Sequence, residues 1–112
     1  MKTVKVESMR KEENPHGVDA RKLYDTEKVQ VIHILLNPGE RLKRHITKTD
    51  VLFYVLEGEG IVEIGDERKT VEKDTLVESP SGIPHCWYNE SERVLRFLVM
   101  KIPRPAQPTQ LL

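Results

Sequence analysis

The sequence predicts an all-β barrel built as one domain, residues 1–112. Short apolar runs recur along the chain, and turn residues separate them roughly every 6 to 12 positions. No segment holds a sustained 3.6-residue apolar period. About nine or ten short strands spaced in this way indicate a sandwich or a barrel. Parallel βαβ architecture is excluded, because nothing supplies its amphipathic crossover helices.

Residues 3–8 alternate polar and apolar and read as a first, edge strand. Residues 11–28 are polar, contain Asn14-Pro15-His16-Gly17, and read as a loop with a short strand near Leu23. Residues 29–36 form a strong strand, apolar on both faces and ended by Asn37-Pro38-Gly39. Residues 41–47 read as a short strand with basic residues on one face. Residues 51–57 form a strong strand closed by Gly58-Glu59-Gly60. Residues 61–64 and 68–72 pair as a hairpin about Gly65-Asp66.

Lys73-Asp74 turns into 75–78, and Ser79-Pro80-Ser81-Gly82 turns into 84–88. Asn89-Glu90-Ser91-Glu92 leads to the apolar strand 94–101. Pro103, Pro105 and Pro108 lack the amide donors of a ladder, so 103–112 reads as a tail. The core is expected within 29–101.

Eighteen Lys and Arg balance eighteen Asp and Glu, with the signs interleaved. Nucleic acid and anionic membrane both attract a basic excess, so neither is an expected partner. No apolar run approaches the roughly 18 residues of a membrane span, and the start lacks a signal peptide's apolar stretch. The one cysteine, Cys86, allows no intrachain disulfide, which fits a reducing, cytoplasmic setting.

Two segments carry a specific spacing. In the first, Gly39 and five residues lead to His45, and Tyr54-Val55-Leu56-Glu57-Gly58-Glu59-Gly60 follows. In the second, Pro80, Gly82, His85 and Asn89 stand in the pattern Pro-x-Gly, two residues, His, three residues, Asn. Together they resemble the two motifs of the cupin superfamily over roughly residues 29–101. The resemblance implies a double-stranded β-helix, or jelly-roll, barrel. It also implies a divalent metal (Mn, Fe, Ni or Zn) held by two His and one Glu of the first motif and one His of the second.

Here the second His position is Thr47 and the Glu position is Val51, with Asp50 one residue short. A one-residue slip turns a side chain to the other face. The leading Gly of the second motif is replaced at Lys73-Asp74. His45 and His85 thus fill two of four metal positions, and a held metal needs three or four protein ligands. His33 is the best third candidate, although both faces of its strand are apolar and periodicity does not choose between them.

Strand parity groups the rest of the site. Thr47 shares a face with His45, Trp87 and Asn89 share one with His85, and Phe53 shares one with Val51. Two imidazoles, a hydroxyl, aromatic rings and aliphatic walls make a small-molecule pocket. Plainer readings stand beside these: His45 as a charged strand residue, His33 as a satisfied structural histidine, His16 as a solvent-exposed loop residue.

Three functions stay open. One is a metal-dependent isomerase- or dioxygenase-type enzyme. The second is a non-catalytic small-molecule binding module without metal, and the third is a structural or interaction protein. The resemblance also implies a homodimer, with residues 3–8 as a candidate exchanging edge strand.

Overall fold

A computed structural model describes all 112 residues. Ten strands are present: β1 Asp19–Asp25, β2 Gln30–Leu36, β3 Arg41–Ile46, β4 Asp50–Glu57, β5 Glu59–Ile64, β6 Glu67–Glu72, β7 Leu76–Ser79, β8 His85–Tyr88, β9 Leu95–Ile102 and β10 Gln110–Leu111. They form two five-stranded antiparallel sheets, ordered β1-β2-β9-β4-β7 and β10-β3-β8-β5-β6. No helix is long and apolar enough to cross a membrane.

Alternation decides which face of each strand is inside. On β4, Val51, Phe53 and Val55 are buried while Leu52, Tyr54 and Leu56 are only half-buried. On β9, Leu95, Phe97 and Val99 take the inner face. The sheets meet through these rows, and Trp87 of β8 stacks on Phe97 of β9 with ring centroids 4.3 Å apart. Each such fully buried large side chain contributes about 1.5–3 kcal/mol.

The expected edge strand at residues 3–8 is corrected. Val6–Ser8 is a 3₁₀ turn, and Val4 is exposed. Alternation alone makes no strand without a partner to receive its hydrogen bonds. The true edge is β1, the short strand expected near Leu23, which sits in a polar segment because an edge strand keeps few apolar side chains. Only Ala20 of its seven residues is buried. The expected C-terminal tail also departs from plain coil, since Gln110 and Leu111 pair with Ile46 and His45 of β3.

Two turns carry the motif geometry. Gly58 has φ +86°, and a Cβ there would lie 2.3 Å from the Val94 carbonyl oxygen. Asp74, at the position where the second motif starts with Gly, has φ +66°. The left-handed turn therefore survives the loss of glycine, because aspartate tolerates that region better than most residues.

Candidate functional site

β3 and β8 are neighbours, and His45 stands directly opposite His85 in their register. A shift in the ladder between Leu42 and His45 resets the pairing just before the pair. Both rings are buried, with Nε2 of His45 3.0 Å from Nε2 of His85 and ring centroids 4.4 Å apart at 80°. Phe53 sets its ring edgewise against His85 at 5.2 Å.

The outer nitrogens fix the protons. His45 Nδ1 lies 2.6 Å from the Lys43 carbonyl oxygen, which can only accept. Neutral His45 thus carries its proton on Nδ1 and offers a lone pair at Nε2. The 3.0 Å contact then needs a proton on His85 Nε2, so His85 Nδ1 is an acceptor. The buried Ser79 hydroxyl, 2.7 Å away, donates to it. One ordered chain runs from Ser79 through His85 and His45 to Lys43.

Burial keeps both rings neutral. It pushes the His85 pKa down to about 3, with the neighbouring His45 and the Lys101 ammonium adding to the effect. The His45 pKa is also lowered, again by burial first, against the Lys43 carbonyl bond, which raises it.

A third histidine reaches this pair. His16 lies on the loop before β1, half-buried, with its ring 4.9 Å from that of His45. The expectation of a solvent-exposed His16 is corrected. Asn14 shapes the loop: its Oδ1 accepts the His16 and Val18 amides, and its Nδ2 donates to the Glu12 and Val18 carbonyls. His16 Nδ1 accepts the Lys43 amide at 2.8 Å, so its Nε2 carries the proton. The signal in the sequence is the Asn-Pro-His-Gly turn, whose Gly17 has φ +67°.

Against the three rings lies a chamber of about 150 Å³. Ile32, Ile34, Leu42, Phe53 and Val99 form its apolar wall, while Asn14, Pro15, Lys101 and Thr109 stand with them around the opening. Lys101, Thr109 and Asn14 also border an outer groove of about 460 Å³.

Of the expected pocket residues, Phe53 lines the chamber. Val51 is packed in the core, and Trp87 is taken up by its stack on Phe97. Asn89 clamps loops, its Nδ2 donating to the Leu36 and Arg93 carbonyls and its Oδ1 accepting the Ser91 amide and hydroxyl. Thr47 is buried beyond the chamber wall, and its carbonyl accepts the Gly82 amide. All four are buried, but none of them lines the chamber.

His33 is not brought to the pair. Ile34 and Leu36 of β2 belong to the core and Ile32 packs against it, so His33 takes the opposite face of the sheet. There its Nε2 accepts a bond from Arg96 Nε–H at 3.1 Å, and Arg96 also binds Glu57. Its neighbours are Val6, Asp19, Arg21 and Leu35, on the far side of the sheet from the chamber.

These donors fall short of a tightly held divalent metal. Two imidazoles converge, and Thr47 and Val51 stand where the family's other ligands would be. His16 is the nearest third ring, but its Nε2–H is a donor while the Lys43 amide holds Nδ1. Cys86, on the other face of β8, is bonded to Glu63 and Tyr88. No group of three or more His, Cys, Asp or Glu side chains is arranged to hold an ion.

A ten-stranded, two-sheet barrel with a histidine pair at its inner chamber defines a double-stranded β-helix protein with an internal pocket. The sequence model of the cupin domain matches residues 32–101, and the chain belongs to that family. An uncharacterized protein of Methanocaldococcus jannaschii is 31% identical over 85 residues, covering 75% of this chain and 73% of that protein. Protein TT1209 of Thermus thermophilus superposes with a TM-score of 0.81 at 28% identity, over 94% of this chain and all of that one. The polyketide cyclase RemF of Streptomyces resistomycificus superposes at 0.84 with 22% identity, over 100% and 85% of the two chains. That last likeness is one of fold alone.

Proposed function

We propose that this chain is a small, cytoplasmic binding protein whose barrel holds one small organic molecule without a resident metal. The observation that carries the reading is that no third His, Cys, Asp or Glu side chain joins His45 and His85 to complete a metal site. The chamber is about the size of an engineered cavity that takes a benzene ring.

Binding is favoured over proton-transfer catalysis for a related reason. A general base works best with a pKa near the operating pH. His85 is held at about 3 and His16 at about 4, and no carboxylate lines the chamber. The lone cysteine supports the cytoplasmic setting. Pairing of two copies is part of the proposal, and sedimentation analysis tests it.

The test of function combines elemental analysis of protein purified without added metal with thermal melts in EDTA, Mn²⁺, Ni²⁺ and Zn²⁺. We expect metal far below one equivalent and an unchanged Tm. A panel of small carboxylates, amides and alcohols should contain members that raise Tm. A stoichiometric ion lost in both His45→Ala and His85→Ala would overturn the reading.

A further inference from the structure

The inner row of β9 runs Leu95, Phe97, Val99 and then Lys101. By strand parity Lys101 continues the barrel's inward face, and its side chain borders both the chamber and the outer groove. It is the one Lys or Arg in the chamber wall, and that wall contains no Asp or Glu.

The other cations of the groove are matched. Lys22 pairs with Glu12 and Asp25, and Arg104 pairs with Asp25. Lys101 forms no ion pair, and its one hydrogen bond is to Thr109 Oγ1 at 3.3 Å. An ammonium has three donors, so two remain. Taking it out of water without a counter-charge is costly. Lys101 lines the same chamber as His16, His45 and His85, and its charge lowers the pKa of each.

We propose that the chamber takes a small monocarboxylate, its charge met by Lys101 and its apolar end set among Ile34, Leu42, Phe53 and Val99. The inference rests on the reading of the barrel as a metal-free ligand pocket and adds the class of ligand. His16 supplies a second contact, because its Nε2–H is left free by the bond at Nδ1. A carboxylate has two acceptor oxygens for two such donors. Inorganic phosphate supplies negative charge but leaves the apolar wall uncovered.

The test uses the full chain at pH 7.5 and low salt, with isobutyrate and benzoate as probes. Isobutyramide and benzamide are the neutral isosteres, and phosphate is the bare anion. Lys101→Met removes the charge while keeping the stem, and its ligand-free melt reports folding. Calorimetry should show at least one acid binding tenfold or more tighter than its amide. Lys101→Met should erase that preference with an unchanged or raised ligand-free Tm.

If amides bind as well as acids, or Lys101→Met keeps the preference, the carboxylate inference fails and the pocket reading stands. Phosphate binding as tightly as the acids has the same meaning. If no acid or amide binds at all, both fail. Should Lys101→Met fold poorly, Lys101→Gln takes its place with the same expected loss.

Discussion

His45 Nε2 meets His85 Nε2 at 3.0 Å inside the barrel, and each ring is anchored at its other nitrogen by a different partner. Two residues forty positions apart therefore form one hydrogen-bonded unit. Its protons are set by a backbone carbonyl at one end and a hydroxyl at the other.

The first consequence is a pH dependence with a definite sign. The folded pKa of His85, about 3, lies below the unfolded value of 6.5, and that of His45 is also lowered. The unfolded chain thus binds more protons below pH 6.5. Stability is independent of these groups above that pH and is lost as pH falls toward 3. Each histidine contributes a slope of at most about 1.4 kcal/mol per pH unit. Denaturant titrations between pH 7 and 5 should show this fall, and His85→Gln should reduce its slope.

Ser79 anchors the chain of protons. Ser79→Ala removes the donor to His85 Nδ1 in a fully buried setting. We expect a loss of about 1–3 kcal/mol in equilibrium unfolding. A loss below about 0.5 kcal/mol would mean that the hydroxyl does not hold the ring.

Asp74 tests the motif turn. Asp74→Ala forces a Cβ-bearing residue without a helpful side chain to keep φ near +66°. It should cost about 1 kcal/mol. Asp74→Gly should stay within about 0.5 kcal/mol of the parent, because relief of strain is offset by greater unfolded-state freedom.

His33 separates structure from ligation. His33→Gln breaks or weakens the bond from Arg96 and should lower stability by about 1–2 kcal/mol. Chamber ligands such as isobutyrate should keep their affinity, measured by calorimetry. Loss of that affinity would place His33 in the site.

Thr109, just before the C-terminal strand, lines the chamber. Deleting residues 109–112 removes the Thr109 bond to Lys101, the β10–β3 pairing and the Leu112 amide bond to the Arg44 carbonyl. Isobutyrate should dissociate faster from the truncated chain in NMR line-shape analysis, at a small loss of Tm.

What the sequence made legible follows from periodicity. Gly39 to His45 and Pro80-x-Gly82 to His85 are short, turn-anchored intervals, so strand parity carries each imidazole inward. Their pairing across β3 and β8 follows from the barrel. The face of His33 was not legible, because Val31 and Leu35 are as apolar as Ile32 and Ile34. What decides it is long-range: Arg21 and Arg96 lie beside it on the outer face. His16 was missed because a polar loop carries no period. Lys101 was readable in principle, two residues beyond Val99 on an inward row, yet a lysine at a strand end reads as surface. The level of Trp87 and Asn89 within the barrel depends on which rows meet across the sheets, and no single strand encodes that.

The most direct measurement is ¹⁵N NMR of the histidine ring nitrogens in metal-free protein at pH 7. We expect neutral rings, with the proton on Nδ1 in His45 and on Nε2 in His85, and a scalar coupling between the two Nε2 nuclei. Two unprotonated Nε2 atoms, or either ring titrating near pH 6.5, would contradict the closed, metal-free pair.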